Sequence, residues 1–95
     1  MEVDSIYGYD FIIIDIRDEH SFKENHLNNS INISLYKLLA NYEKMLDKNK
    51  NYLLICEYGL GSKKVMNMLN KMGYHTFSLK NGYNSLINNK RGIKK

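Results

Sequence analysis

The chain has 95 residues, of which 43% are hydrophobic and 25% are charged. This length and balance are typical of one small globular domain spanning residues 1–95. No apolar run approaches the roughly 20 residues that a membrane helix needs, and the first residues lack the basic start of a signal peptide. A single cysteine cannot form an internal disulfide, so we expect a cytoplasmic protein with no membrane partner.

The formal net charge is +4, and it comes almost entirely from lysines that are spread along the chain. Nucleic-acid-binding surfaces favour arginine and concentrate their charge on one face. We therefore expect no nucleic-acid partner, and we interpret the basic end, residues 88–95, as a solvated tail.

The first half of the chain predicts two strands and two helices. Residues 11–16 (FIIIDI) form a continuous β-branched run, which is typical of a parallel strand buried on both faces. Asp18 is expected to cap a short helix that ends at Glu24. Residues 30–34 predict a second short strand, and the apolar residues between 35 and 46 recur at helical spacing.

The second half repeats the alternation of strand and helix. Residues 52–56 (YLLIC) predict another buried strand, and a helix follows from near Ser62 until Gly73 ends it in a left-handed conformation. Residues 74–79 alternate as a strand does, Asn81–Gly82 predicts a turn, and a short closing helix follows. The sequence therefore predicts an α/β fold, with a small parallel sheet flanked by helices on both faces.

The cysteine stands at the junction of a predicted strand and a glycine-punctuated turn. Ligands of parallel sheets collect at the carboxyl ends of the strands, which is where Cys56 is expected. Backbone N–H groups of a turn containing Gly59 and Gly61, together with a helix N-terminus, predict an anion cradle. Such a cradle would stabilise a thiolate or a persulfide. The alternative is a buried structural cysteine.

Nearby charges affect that interpretation. A carboxylate at Glu57, about 6 Å from a thiolate at an effective dielectric near 20, would oppose it by about 2–3 kcal/mol. Either Glu57 points to solvent, where screening reduces its effect, or the thiol is less acidic than the loop implies. Lys63 and Lys64 either reflect only the lysine-rich composition of the chain or are cations that offset Glu57 and attract anionic donors.

Four stretches together resemble the rhodanese-like domain, a sulfurtransferase module. IIIDIRDEHSF is similar to its strand ending in Asp-x-Arg, and ENHLNNSINIS to its Gly-His-Ile-Pro-Gly-Ala-Ile-Asn-Ile stretch. YLLICEYGLGS resembles its Cys-x-x-Gly-x-x-Ser loop, and LNKMGYHTFSLKNGYNSL resembles its Gly-Phe and Gly-Gly ending. The resemblance covers residues 11–86, and its specificity comes from the order and spacing of the motifs.

The resemblance implies that the chain is a rhodanese-type sulfurtransferase. It implies that Cys56 carries sulfane sulfur as a persulfide, taken from thiosulfate or from a protein or small-molecule persulfide and passed to a thiol-type acceptor. No cofactor is implied, and the scattered histidines predict no metal site. The active-site loop would comprise Glu57, Tyr58, Gly59, Leu60, Gly61 and Ser62. Asp15, Arg17 and His26 match supporting positions, the first two as a structural pair and His26 as a packed histidine.

The sequence departs from the family pattern at two places, and each departure leads to an expectation. Gly61 stands where the loop often has an arginine, so a cation that would bind an anionic donor is missing. The segment before Phe11 is short, and we expect a truncated first segment that leaves only Ile6 and Tyr7 for an edge strand. A dimer would cover an exposed sheet edge, so we expect a monomer or a weak homodimer.

Other functions remain open from the sequence alone. The main alternative is a catalytically weak rhodanese-like interaction or regulatory module. A cysteine phosphatase or arsenate reductase would need an arginine at the position of Ser62. A cysteine hydrolase would need Cys56, His26 and Asp15 to meet.

Overall fold

The computed structural model describes residues 1–7, 10–87 and 93–94. Strands and helices alternate along most of this length, as the sequence predicted. The strands are β1 (Glu2–Val3), β2 (Ile12–Asp15), β3 (His26–Leu27), β4 (Ile31–Asn32), β5 (Asn51–Ile55), β6 (His75–Leu79) and β7 (Ile93–Lys94). The helices are α1 (Glu19–Glu24), α2 (Leu35–Met45), α3 (Leu60–Lys71) and α4 (Gly82–Ile87).

A five-stranded parallel sheet organises the molecule, in the order β1-β6-β5-β2-β4. The central strand β5 pairs with β2 on one side and β6 on the other, so that Leu54 lies opposite both Ile14 and Ser78. The predicted α/β fold with a small parallel sheet is therefore confirmed. Because the strands run parallel, the carboxyl ends of β2, β5 and β6 share one edge of the sheet.

Helices cover both faces of this sheet, and β5 is buried between them. Tyr52 and Leu54 belong to the core on one face, and Leu53 and Ile55 to the core on the other, each at most 4% exposed. Each such side chain stabilises the fold by about 1.5–3 kcal/mol. The first face is packed by residues of α2 and α3, which include Leu38, Val65, Met66 and Leu69. The second face is packed by Val3, Leu27, Tyr83 and Leu86.

The predicted cap of α1 and the predicted turns are present, whereas α3 begins at Leu60, two residues before the predicted start near Ser62. The Asp18 side chain accepts a hydrogen bond from the Ser21 amide at the start of α1. Gly73 follows α3 with φ +94°, and Asn81 and Gly82 have φ +64° and +61°. These left-handed conformations suit glycine and asparagine, which tolerate positive φ better than other residues.

The edge strand at the N-terminus differs from the prediction. The sequence left Ile6 and Tyr7 for it, but the strand is Glu2–Val3, paired with Ser78 and Leu79 of β6. Val3 is 8% exposed and belongs to the core, whereas Tyr7 is 56% exposed. A strand of two residues is too short to show an alternating pattern. One buried valine therefore did not identify this strand from the sequence.

A second, two-stranded sheet joins β3 to β7 in antiparallel register, with Leu27 opposite Ile93. Most of the expected basic tail, namely residues 88–92 and 95, lies outside the described residues. Among the described residues, no helix has the length and apolar character required to cross a membrane.

Candidate active site

Cys56 directly follows the central strand and begins a tight turn into α3. Its side chain is partly buried. Gly59, with φ +92°, precedes the first residue of α3 in a left-handed conformation. A β-carbon at Gly59 would lie 2.9 Å from the backbone nitrogen of Asn81, so the turn requires glycine at this position.

Main-chain amides close around the sulfur of Cys56. The Gly59 N–H donates to Sγ over 3.0 Å and the Ser62 N–H over 3.3 Å. The Ser62 hydroxyl is also 3.3 Å from Sγ. Sulfur at this position therefore has hydrogen-bond donors fixed by the backbone, which is the arrangement that stabilises a negatively charged atom without reorganisation.

The turn that starts α4 holds the cysteine loop from behind. Tyr83 N–H donates to the Cys56 carbonyl over 2.7 Å, and Asn84 N–H donates to the Glu57 carbonyl over 3.0 Å. Gly82 packs so closely that a β-carbon there would lie 2.6 Å from Gly59 N. The sequence had marked Asn81–Gly82 as a turn, but its role as the support of the loop was missed.

Arg17 and Asp15 form a buried ion pair at the end of β2. Arg17 Nη2 lies 2.7 Å from Asp15 Oδ2, and the side chains are 6% and 1% exposed. The guanidinium also donates to the Asn25 carbonyl over 2.9 Å and lies 3.8 Å from the centre of the Tyr83 ring. Burial by itself lowers the pKa of Arg17, but the hydrogen bonds and charge of Asp15, with help from Glu57, outweigh it and raise the pKa above its ordinary value.

The same arginine faces Glu57, the residue next to the thiol. Arg17 Nη1 lies 3.6 Å from Glu57 Oε2, and the Glu57 side chain is 49% exposed. Glu57 therefore combines partial exposure with an ion pair, and both reduce its repulsion of an anionic sulfur. Lys63 pairs with Glu2 over 3.5 Å, so the described ion pair of Glu57 is with Arg17 and not with this lysine.

His26 packs against α1. Its Nδ1 lies 2.7 Å from the Phe22 carbonyl oxygen, and its ring stacks on the Phe22 ring at 3.8 Å. Asp15 is engaged by Arg17. Among the described residues no hydrogen bond joins Cys56, His26 and Asp15, so the geometry gives no support to a cysteine hydrolase.

The structure gives little support to a cysteine phosphatase or to a metal site. Ser62, where a cysteine phosphatase would need arginine, is fully buried. Within the described part of the chain, no group of three or more His, Cys, Asp or Glu side chains is arranged to hold a metal ion.

One residue of the site was not expected from the sequence. Ser78 in β6 is fully buried, and its hydroxyl lies 2.6 Å from the Ser62 hydroxyl. The alternation of residues 74–79 predicted a strand with Thr76 and Ser78 on one side, but it did not predict that this side is buried. Both are buried because α3 and β6 pack together, and no pattern within one strand reports that contact.

Comparison with known sequences points to one protein family. Residues 3–89 match the model of the Rhodanese-like domain family. Over 75 residues the chain is 35% identical to the thiosulfate sulfurtransferase GlpE of Coxiella burnetii, covering 78% of this chain and 69% of that protein. It is 38% identical over 73 residues to a tRNA sulfurtransferase of Thermoplasma acidophilum, covering 73% of this chain and 14% of that longer protein.

Solved structures show the same fold. A rhodanese-related protein from Thermoplasma volcanium superposes with a TM-score of 0.81 at 24% identity, covering 87% of this chain and 82% of that one. A protein from Staphylococcus saprophyticus gives a TM-score of 0.80 at 18% identity, covering 93% and 85%.

Proposed function

The chain belongs to the rhodanese-like domain family as a rhodanese-type sulfurtransferase, and on that premise we propose that Cys56 carries the transferred sulfur as a persulfide. The observation that supports this role is the pair of amides, from Gly59 and Ser62, that donate to Sγ. Glu57, Tyr58, Leu60 and Gly61 complete the loop that holds these amides in place.

The proposed reaction has two displacement steps. The Cys56 thiolate attacks the outer sulfur of a donor such as thiosulfate; a sulfur–sulfur bond forms, and the bond to the sulfite group breaks with its electron pair leaving on sulfite. An acceptor thiolate then attacks the outer sulfur of the Cys56 persulfide and regenerates the Cys56 thiolate. The loop amides stabilise negative charge on sulfur in both steps.

The acceptor must come from another molecule, because the chain has no second cysteine. Tyr58 and Leu60 belong to the loop and are 64% and 73% exposed. Exposed apolar side chains beside the sulfur favour a thiol on a partner protein over a small hydrated acceptor. We propose that this exchange takes place in the cytoplasm, where partner thiols stay reduced.

Mass spectrometry of the intact chain tests the proposal. Incubation with thiosulfate or glutathione persulfide is expected to add one sulfur atom to the wild type, and a thiol should remove it. Cys56→Ser, which keeps the size of the side chain, should take up no sulfur. If no donor loads the wild type, or if Cys56→Ser loads equally, Cys56 is not the carrier, and an interaction module without efficient catalysis becomes the better explanation.

The charge of the loop predicts that thiosulfate, a dianion, is a poor donor. Arg17 is occupied by Asp15 and Glu57, and Gly61 supplies no cation. Gly61 has room for a side chain, since the nearest described atoms to an added β-carbon are Cys56 Cβ and Sγ at 4.0 Å. Gly61→Arg is expected to raise kcat/KM for thiosulfate by about tenfold through attraction of the dianion, an effect that salt should weaken.

Gly61→Gln is the matched control, because it adds a similar side chain at the same helical position without the charge. It should leave the thiosulfate kcat/KM near the wild-type value, and neither variant should change transfer from an uncharged persulfide donor by more than about twofold. Equal gains from Arg and Gln would show that charge is not what limits thiosulfate use.

A further inference from the structure

We propose that Ser78 is a positioning residue, which directs the Ser62 hydroxyl toward the sulfur of Cys56. The inference deepens the function proposed above and rests on Cys56 as the sulfur carrier. It concerns a side chain that does not touch the sulfur in the described contacts and that acts through Ser62.

The geometry is a short chain of three polar atoms inside the protein. Ser78 Oγ lies 2.6 Å from Ser62 Oγ, which in turn lies 3.3 Å from Cys56 Sγ. Both serines are fully buried. β6 pairs with β5 so that Ser78 lies opposite Leu54, which places its hydroxyl beneath the N-terminal turn of α3.

The Ser62 hydroxyl has one proton and several possible acceptors. Besides Cys56 Sγ, the Gly59 carbonyl lies 3.4 Å from Ser62 Oγ and the Ser78 oxygen 2.6 Å from it. If Ser62 donated to Ser78 or to Gly59, the sulfur would lose a donor. The direction of the bond between the two serines therefore decides whether the sulfur receives a hydroxyl hydrogen bond.

The charge on sulfur sets that direction. A neutral thiol donates its S–H to Ser62 Oγ, and Ser62 then donates to Ser78 Oγ. A thiolate or persulfide can only accept, so Ser62 turns its O–H to the sulfur and Ser78 donates to Ser62 in return. A hydroxyl that itself accepts a hydrogen bond is a stronger donor, so Ser78 strengthens the bond to the anion.

A neighbouring buried hydroxyl provides a matched control. Thr76 is 2% exposed and lies two residues before Ser78 on the same face of β6. Its hydroxyl bonds to Asn70 Oδ1 over 2.7 Å and to the Met66 carbonyl over 3.3 Å, without a described contact to Cys56. Thr76→Val removes a buried hydroxyl and its hydrogen bonds but leaves the two serines unchanged.

The charged groups around the loop stay the same in every variant. They are Glu57 beside the thiol, Arg17 at the end of β2, and Lys63 and Lys64 in the first turns of α3. Any change in the pH profile of Cys56 reactivity can then be assigned to the hydroxyls.

The test is the rate of Cys56 alkylation by iodoacetamide as a function of pH in the full chain. Ser78→Ala is expected to slow alkylation at neutral pH by about threefold to tenfold and to move the midpoint of the profile to higher pH. Thr76→Val should lower the melting temperature of the protein but leave the midpoint of the alkylation pH profile unchanged. In a Ser62→Ala background, Ser78→Ala should add no further shift, because Ser78 acts through Ser62.

A wild-type profile for Ser78→Ala, or a shift that persists in the Ser62→Ala background, would overturn the inference. An equal shift in Thr76→Val would assign the effect to loss of packing. Failure of the wild type to take up sulfur would contradict the proposed function, while the alkylation profile would still report the coupling between Ser78 and the thiol.

Discussion

Gly82→Ala is expected to slow sulfur loading of Cys56 by about 10²-fold, although residue 82 makes no described contact with the sulfur. An alanine β-carbon would overlap the Cys56 carbonyl oxygen and lie 2.6 Å from Gly59 N and 2.7 Å from the Glu57 carbonyl carbon. These are backbone atoms, so the loop itself must move. Gly59 N is also the amide that donates to Sγ over 3.0 Å. A displacement of about 1 Å is enough to lower the rate by about 10²-fold.

The control for this prediction is Gly73→Ala. Gly73 also has a left-handed backbone, with φ +94°, but the nearest described atoms to an added β-carbon belong to the flexible Lys48 side chain, at 3.5 Å or more. Both substitutions cost about 1–2 kcal/mol for placing alanine in the left-handed region. Chemical denaturation and the sulfur-loading rate should be measured for each. Gly73→Ala should lose stability and keep its rate; if Gly82→Ala behaves the same way, the loop does not depend on close packing by the α4 turn.

The features that the sequence predicted well are those decided within a short stretch of chain. Residues 11–16 and 52–56 gave buried strands because an apolar, β-branched run fits a strand covered on both faces. Gly73 and Asn81–Gly82 were placed correctly because positive φ restricts which residues fit. The position of Cys56 at the end of a central strand followed from the same local patterns.

The features that were missed depend on contacts between distant parts of the chain. Ser78 is a small polar residue in an alternating strand, and its burial depends on the packing of α3 on β6. Glu57 and Arg17 lie on different strand ends, and their ion pair requires β2 and β5 to be neighbours with both ends at one edge. The sequence predicted that the carboxyl ends of the parallel strands share one edge of the sheet. It did not predict the side-chain conformation of Glu57, and therefore not its partner.

Asp15→Asn is expected to lower the free energy of unfolding by about 3–5 kcal/mol, because it leaves the buried Arg17 guanidinium without its main counter-charge. Asp15 Oδ1 and Oδ2 together accept from Arg17 Nε and Nη2 and from the Arg17 amide, at 2.7–3.1 Å. Asparagine keeps the shape but replaces one acceptor oxygen with an N–H donor group facing the guanidinium. Arg17 would keep the Asn25 carbonyl, the half-exposed Glu57 and the face of the Tyr83 ring.

Asp18→Asn is the matched control, since it removes the same charge from an exposed residue and asparagine caps a helix as well as aspartate does. Urea denaturation at neutral pH should show little change for Asp18→Asn and a lower midpoint for Asp15→Asn. Asp15→Asn should also slow sulfur loading, because Arg17 orients Glu57 beside the thiol and packs on Tyr83, whose amide holds the Cys56 carbonyl. Equal stabilities for the two variants would mean that the buried pair contributes no more than a surface charge. An unchanged loading rate for Asp15→Asn would mean that the pair does not position the loop.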